Sequence, residues 1–145
     1  MKIFISMSMN GRPDSEIRED MNRRFEFIKS ELIEHGMLSE TEPVSLIDTI
    51  NHINVPANPS RLWYLGSSIQ KLNEADLVYF ADDWYKASGC WTELAAAVMY
   101  DKNFTYDYPN RNVARDVSDF IEILKMYKSI GGVTKEKNHE SNSTT

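Results

Sequence analysis

Asp76–Phe80 reads DLVYF and runs directly into Ala81–Glu93, ADDWYKASGCWTE. The apolar run, rich in β-branched and aromatic residues, has the length and composition of an interior strand. The polar stretch after it reads as a loop ending near Gly89, and the alanine-rich segment from about Cys90 to Asp101 reads as a helix.

The same alternation continues in both directions. Lys2–Ser6 (KIFIS) is a second short apolar strand, broken by Asn10, Gly11, Arg12 and Pro13. Asp14 or Ser15 is placed to cap a helix whose buried stripe is Ile17, Met21, Phe25, Ile28 and Leu32, with Gly36 as its stop. Val44–Ile47 reads as a strand, and Leu62, Leu65, Ile69 and Leu72 mark one side of a second helix. Toward the C-terminus, Phe104–Tyr108 reads as a last strand, followed by a helix packing through Val117, Phe120, Ile121 and Leu124. This order predicts an α/β fold: an open parallel sheet of four to five strands with helices on both faces, flavodoxin-like or Rossmann-like. Residues 1–130 form the single domain in this reading, and 131–145 a disordered polar tail. Ligands of such sheets bind outside the carboxyl ends of the strands, so the loops after Ser6 and after Phe80 should face one crevice. The polar connection from Asp48 to Ser60 is long enough to be functional or mobile.

Composition narrows the partners. The chain of 145 residues carries a net charge of -6. Arg18, Arg23 and Arg24 share their helix with Glu16, Glu19, Asp20 and Glu26, which reads as a solvated face and argues against nucleic acid. No apolar run approaches the roughly 20 residues of a membrane span, and the N-terminal MKIFISM is too short for a secretory signal. The lone cysteine, Cys90, excludes an internal disulfide framework and is read as structural. A cytoplasmic protein is expected, in the host cytoplasm if a phage encodes it. His35, His52 and His139 lack metal-ligand spacing, and neither G-x-G-x-x-G nor a P-loop occurs, so no metal or cofactor is expected.

Chemistry concentrates in Met7–Arg12 and Ala81–Glu93. Gly89 admits close approach of a ligand, and free amides at the helix start favour anions. Glu93, placed in the first turn, would be held ionised by the helix dipole and able to act as a nucleophile. The competing reading is an acid that only helps the helix start. Trp84 lies among Asp82, Asp83 and Lys86, which predicts an exposed ring, against the alternative of plain packing.

Together these segments resemble the nucleoside 2-deoxyribosyltransferase-like superfamily, in particular its small members from phages and bacteria. The matching residues are Ile3–Ser6 with Met9, Asn10 and Gly11; Leu62, Trp63, Tyr64, Leu65 and Gly66; Glu74, Ala75 and Asp76; and Asp83, Trp84, Ser88, Gly89 and Glu93. The likeness spans Lys2 to about Tyr100. It implies that Glu93 attacks the anomeric carbon of a bound nucleoside or nucleotide. It further implies that Ser88 and Gly89 approach the sugar or its phosphate, and that Ser8, Asn10 and Gly11 approach the phosphate. Phe4, Ser6, Trp63, Ser68, Asp82 and Trp84 complete the candidate binding wall. Phe4 stands where active members carry a tyrosine, and Ser68 where they carry the aspartate that handles the leaving base's proton. Asp48, Asp82 or Asp83 is the expected stand-in acid, since a serine hydroxyl is no general acid near neutral pH. The resemblance also implies a homodimer or higher homo-oligomer, with Trp63, Tyr64, Trp84 and Tyr85 as contact candidates. Three functions follow as expectations: an N-glycosidase or deoxyribosyltransferase; a binding module that keeps the pocket and sequesters a nucleotide or nucleotide-derived signal; and cleavage of NAD or a related ADP-ribose compound.

Overall fold

The computed structural model describes residues 1–9 and 11–132. Four strands, β1 (Lys2–Ser6), β2 (Ser45–Leu46), β3 (Leu77–Phe80) and β4 (Phe104–Tyr106), alternate with four helices. The helices are α1 (Asp14–Glu34), α2 (Arg61–Lys71), α3 (Ser88–Met99) and α4 (Arg111–Tyr127). All pairings are parallel, in the order β2-β1-β3-β4. The expected α/β open sheet is present, with four strands. The strand order reverses between β1 and β3, where Ser6 lies beside Phe80, and a crevice opens at such a reversal.

Period-two alternation decides which helix each strand residue meets. Ile3, Ile5 and Tyr79 pack with Ile17, Met21, Ile28 and Leu32 of α1. Phe4, Val78 and Phe80 face the other way, onto Leu94 and Ala97 of α3 and Val117 and Ile121 of α4. Ser6, two residues beyond Phe4, therefore also faces α3. That parity puts a hydroxyl under the cleft.

Local chemistry sets the helix ends, and some differ from expectation. Pro13, not Asp14 or Ser15, is the N-cap of α1, and no side chain caps it. At its far end Gly36 adopts φ +72°, where Met37 N–H donates to Leu32 O (2.9 Å) and Gly36 N–H to Ile33 O (3.1 Å). This closing motif satisfies the last carbonyls and needs a left-handed residue. Ser60 and Asn110 cap α2 and α4 with their side chains. α3 starts at Ser88, two residues earlier than expected, because Ala87 is its N-cap and offers no side-chain signal. Glu93 is consequently in the second turn. Residues 131 and 132 belong to a helical turn, Lys128–Gly132, that extends α4; the rest of the expected tail, and Asn10, lie outside the described residues. Among the described residues no helix is long and apolar enough to cross a membrane.

Candidate functional site

The carboxyl ends of β1 and β3 open into a cleft of about 700 Å³. Its walls come from the loop after β1 (Met7, Met9, Gly11, Arg12), the 48–60 connection, one side of α2 and the start of α3. The size lies within the range of small-molecule sites.

Glu93 reaches the cleft yet is only 7% exposed. Ser6 Oγ donates to Glu93 Oε1 at 2.8 Å. Burial raises the carboxyl from its ordinary range to about 7, and the Ser6 hydrogen bond opposes that rise. The expectation of a dipole-held carboxylate is thus corrected. The helix field fades within the first turn, Glu93 lies beyond it, and desolvation wins. Cys90, also in the wall, is pushed up to about 12 by burial and by the neighbouring Glu93 charge, so its thiol stays protonated near neutral pH.

A closed circuit of charges braces the two cleft loops from behind. Arg12 Nη1 donates to Asp20 Oδ2 (3.0 Å) and to Ser8 O (3.4 Å). Arg24 donates to Asp20 (3.1 Å) and Asp82 (2.6 Å), and pairs with Asp83 at 3.6 Å. Asp83 Oδ1 returns to the first loop by accepting from the Ser8 amide (3.3 Å). Arg23 also pairs with Asp20. The expected solvated face is therefore interrupted here, since Asp20 is buried and needs its guanidinium partners to stay charged.

The structure brings Glu93, Gly11, Ser68, Ser88 and Gly89 into one wall, with Ser6 directly beneath Glu93. Ser8 contributes its backbone to the loop brace. Other expected residues lie elsewhere. Phe4 is packed in the core between sheet and α3. Trp63 stands behind the wall, edge-on to His52 and Tyr64, and the latter two line the cleft instead. Asp82 is exposed on the α1 side, beside a smaller 330 Å³ recess where the Tyr79 hydroxyl meets the Asp107 carboxylate. Trp84 is wholly buried among Phe80, Trp91 and Tyr106, so neither ligand nor partner meets its ring. Its Nε1 donates to Asp107 O (2.8 Å), which leaves no polar atom needing water despite polar neighbours in sequence.

None of the stand-in acids reaches the cleft wall. Asp48 caps its own loop, accepting from the amides of Ile50 (3.0 Å) and Asn51 (3.1 Å), and Asp82 and Asp83 serve the brace. The titratable groups that do share the wall with Glu93 include Asp14, His52 and Arg61. His52 was legible only as part of a polar connection of functional length; its place beside α2 is a tertiary fact. Among the described residues no group of three His, Cys, Asp or Glu side chains could hold a metal ion. Comparison with protein-family models, curated proteins and solved structures finds no match, so what the cleft can do rests on its own residues.

Proposed function

We propose that the cleft binds a nucleoside or nucleotide and that Glu93 breaks or exchanges its N-glycosidic bond. The observation that carries this reading is a carboxyl 7% exposed at a cleft floor, bonded only to Ser6 among the described residues and pushed up to about 7 by its burial. Perturbed carboxyls in clefts mark functional sites, because a group poised near ambient pH serves both charge states. The ionised form attacks the anomeric carbon, the base departs with the bond's electron pair and a proton, and water or a second base resolves the sugar ester. Ser6 holds one oxygen of the attacking carboxylate, a part that the family resemblance gives to a tyrosine at the position of Phe4. The start of α3 at Ser88 and Gly89, uncapped by any side chain, together with Arg61, offers donors for a sugar hydroxyl or a phosphate.

A homodimer or higher assembly belongs to the same proposal. Its support is α2, which buries no residue fully and leaves Leu62 77% and Tyr64 40% exposed beside the cleft.

The test is a panel of deoxynucleosides, their 5′-monophosphates and NAD, incubated with the parent and with Glu93→Gln. Base release by the parent alone supports the proposal, and the active substrate separates deoxynucleoside from ADP-ribose chemistry. Tight binding by both forms without turnover would replace it with a sequestering module.

A further inference from the structure

The N-glycosidic reading needs a proton for the departing base, and neither Ser68 nor the aspartates expected to stand in for it provides one. We propose that His52 is that donor, with N7 of a purine nucleoside or nucleotide as the acceptor that tests it. The inference rests on the reading just given.

Four observations carry it. His52 lines the cleft that Glu93 reaches. Its Nδ1 lies 2.7 Å from Ser67 Oγ, one residue before Ser68 on α2, which fixes the ring and leaves Nε2 without a partner among the described residues. Trp63 and Tyr64 pack edge-on against it, with centroids 5.7 and 5.1 Å away, so the imidazole is gripped on an apolar side. The loop that carries it is itself anchored: Asp48 accepts from Ile50, Asn51 and the Asn51 side chain, and Lys71 Nζ donates to Asn51 O at 2.6 Å. A surface histidine on a loose loop would show none of this.

Other groups in the wall fit less well. Asp14 is exposed to solvent, and the Cys90 thiol is held as a very weak acid. The groups acting on His52 are Lys71 from α2, Asp48 from its own loop and Asp14 from α1; Arg61 and Tyr64 of α2 and Glu93 of α3 share the cleft with it. Burial, then Lys71, lowers its pKa against the two aspartates. A lowered pKa makes the imidazolium a stronger acid but the minority form near neutral pH, so the reacting state pairs it with ionised Glu93 against the order of their pKa values.

The step balances. Glu93 carboxylate forms the bond to C1′ as the C1′–N bond breaks, and that electron pair passes to the base. A ring nitrogen of the base takes the Nε2 proton, so the base leaves neutral and His52 becomes neutral imidazole. Water then cleaves the ester and returns its proton to His52.

The experiment compares the parent with His52→Gln on a purine 2′-deoxynucleoside and on the same nucleoside methylated at N7, whose cationic base departs unaided. The expected result is a loss of about a hundredfold or more on the first substrate and near-parent rates on the second. The ratio of the two rates on one preparation does not depend on how much of it is folded. Equal losses on both substrates would overturn the role of His52 and leave the N-glycosidic reading standing. A parent inert on both, and on their 5′-monophosphates, would overturn the assignment of His52 as donor to a purine, while the N-glycosidic reading would still turn on the other members of the panel.

Discussion

Replacing Glu93 by glutamine keeps the shape and the Ser6 hydrogen bond of the protonated acid and removes the ionisation that burial opposes. The carboxyl sits near 7 in the folded chain against an ordinary 4.5, with desolvation as the cause. A folded-state pKa raised above its unfolded value means that stability is fully present below the unfolded value and is lost as pH rises through the folded one. Holding the carboxylate in place above both values costs about 3 kcal/mol, a sizeable share of the stability of a domain this size. Urea unfolding of the parent and of Glu93→Gln at pH 5 and pH 8 measures it. At the lower pH the two should differ by less than about 1 kcal/mol. At the higher pH the glutamine variant should be more stable by up to about 3 kcal/mol, or on the order of 10 °C in melting temperature. A difference that is the same at both pH values, or a parent more stable at pH 8, would mean that Glu93 is solvated and that the account of the cleft floor is mistaken.

Two further substitutions separate the floor from its supports. Ser6→Ala removes the one hydrogen bond that lowers the Glu93 pKa, so it should cost about 1–3 kcal/mol at pH 8 and less at pH 5, by the same unfolding assay. Asp20→Asn should destabilise by about 3 kcal/mol at neutral pH, because it breaks a buried ionic cluster. Burial alone would raise the Asp20 carboxyl, but hydrogen bonds from Arg24 and Arg12 outweigh it and the net shift is downward. Its stabilisation is therefore present above the ordinary carboxyl range and lost in acid, so the variant's stability should fall less steeply than the parent's below about pH 4.

The sheet was legible because the chain obeys one rule along its length: apolar runs of strand length alternate with stripes of helical spacing. KIFIS and DLVYF carry both the strand positions and, through their parity, the helices they face. Glu93 was legible as the acid after a strand, loop and glycine. Its electrostatics were not, because Ala87 gives no capping signal and a two-residue error in the start of α3 turns a dipole-stabilised anion into a buried acid. Trp84 shows the converse failure. Its neighbours in sequence are charged, but its ring drops behind β3 and finds a carbonyl there, a fact of tertiary packing. His52 gave no local cue beyond a polar loop, since its significance arises from Ser67, Trp63 and Tyr64 on the next helix.

Two buried acids in one small fold allow a comparison. Asp20 is surrounded by Arg12, Arg23 and Arg24, which compensate its charge and push its proton off; its consequence is a fixed pair of loops. Glu93, about as inaccessible to solvent, has a single hydroxyl for a partner among the described residues, and its proton is held until about pH 7. A purely structural acid in that position has no physical reason to remain uncompensated, because glutamine or a well-packed apolar residue would fill the same space without the penalty. Such an arrangement gains an advantage when something enters the cleft that favours the charged form. A carbon acquiring positive character does so, and a sugar losing its base is such a carbon. The contrast between the two acids is thus what supports the proposed chemistry at the cleft, with bracing the role of the circuit behind it.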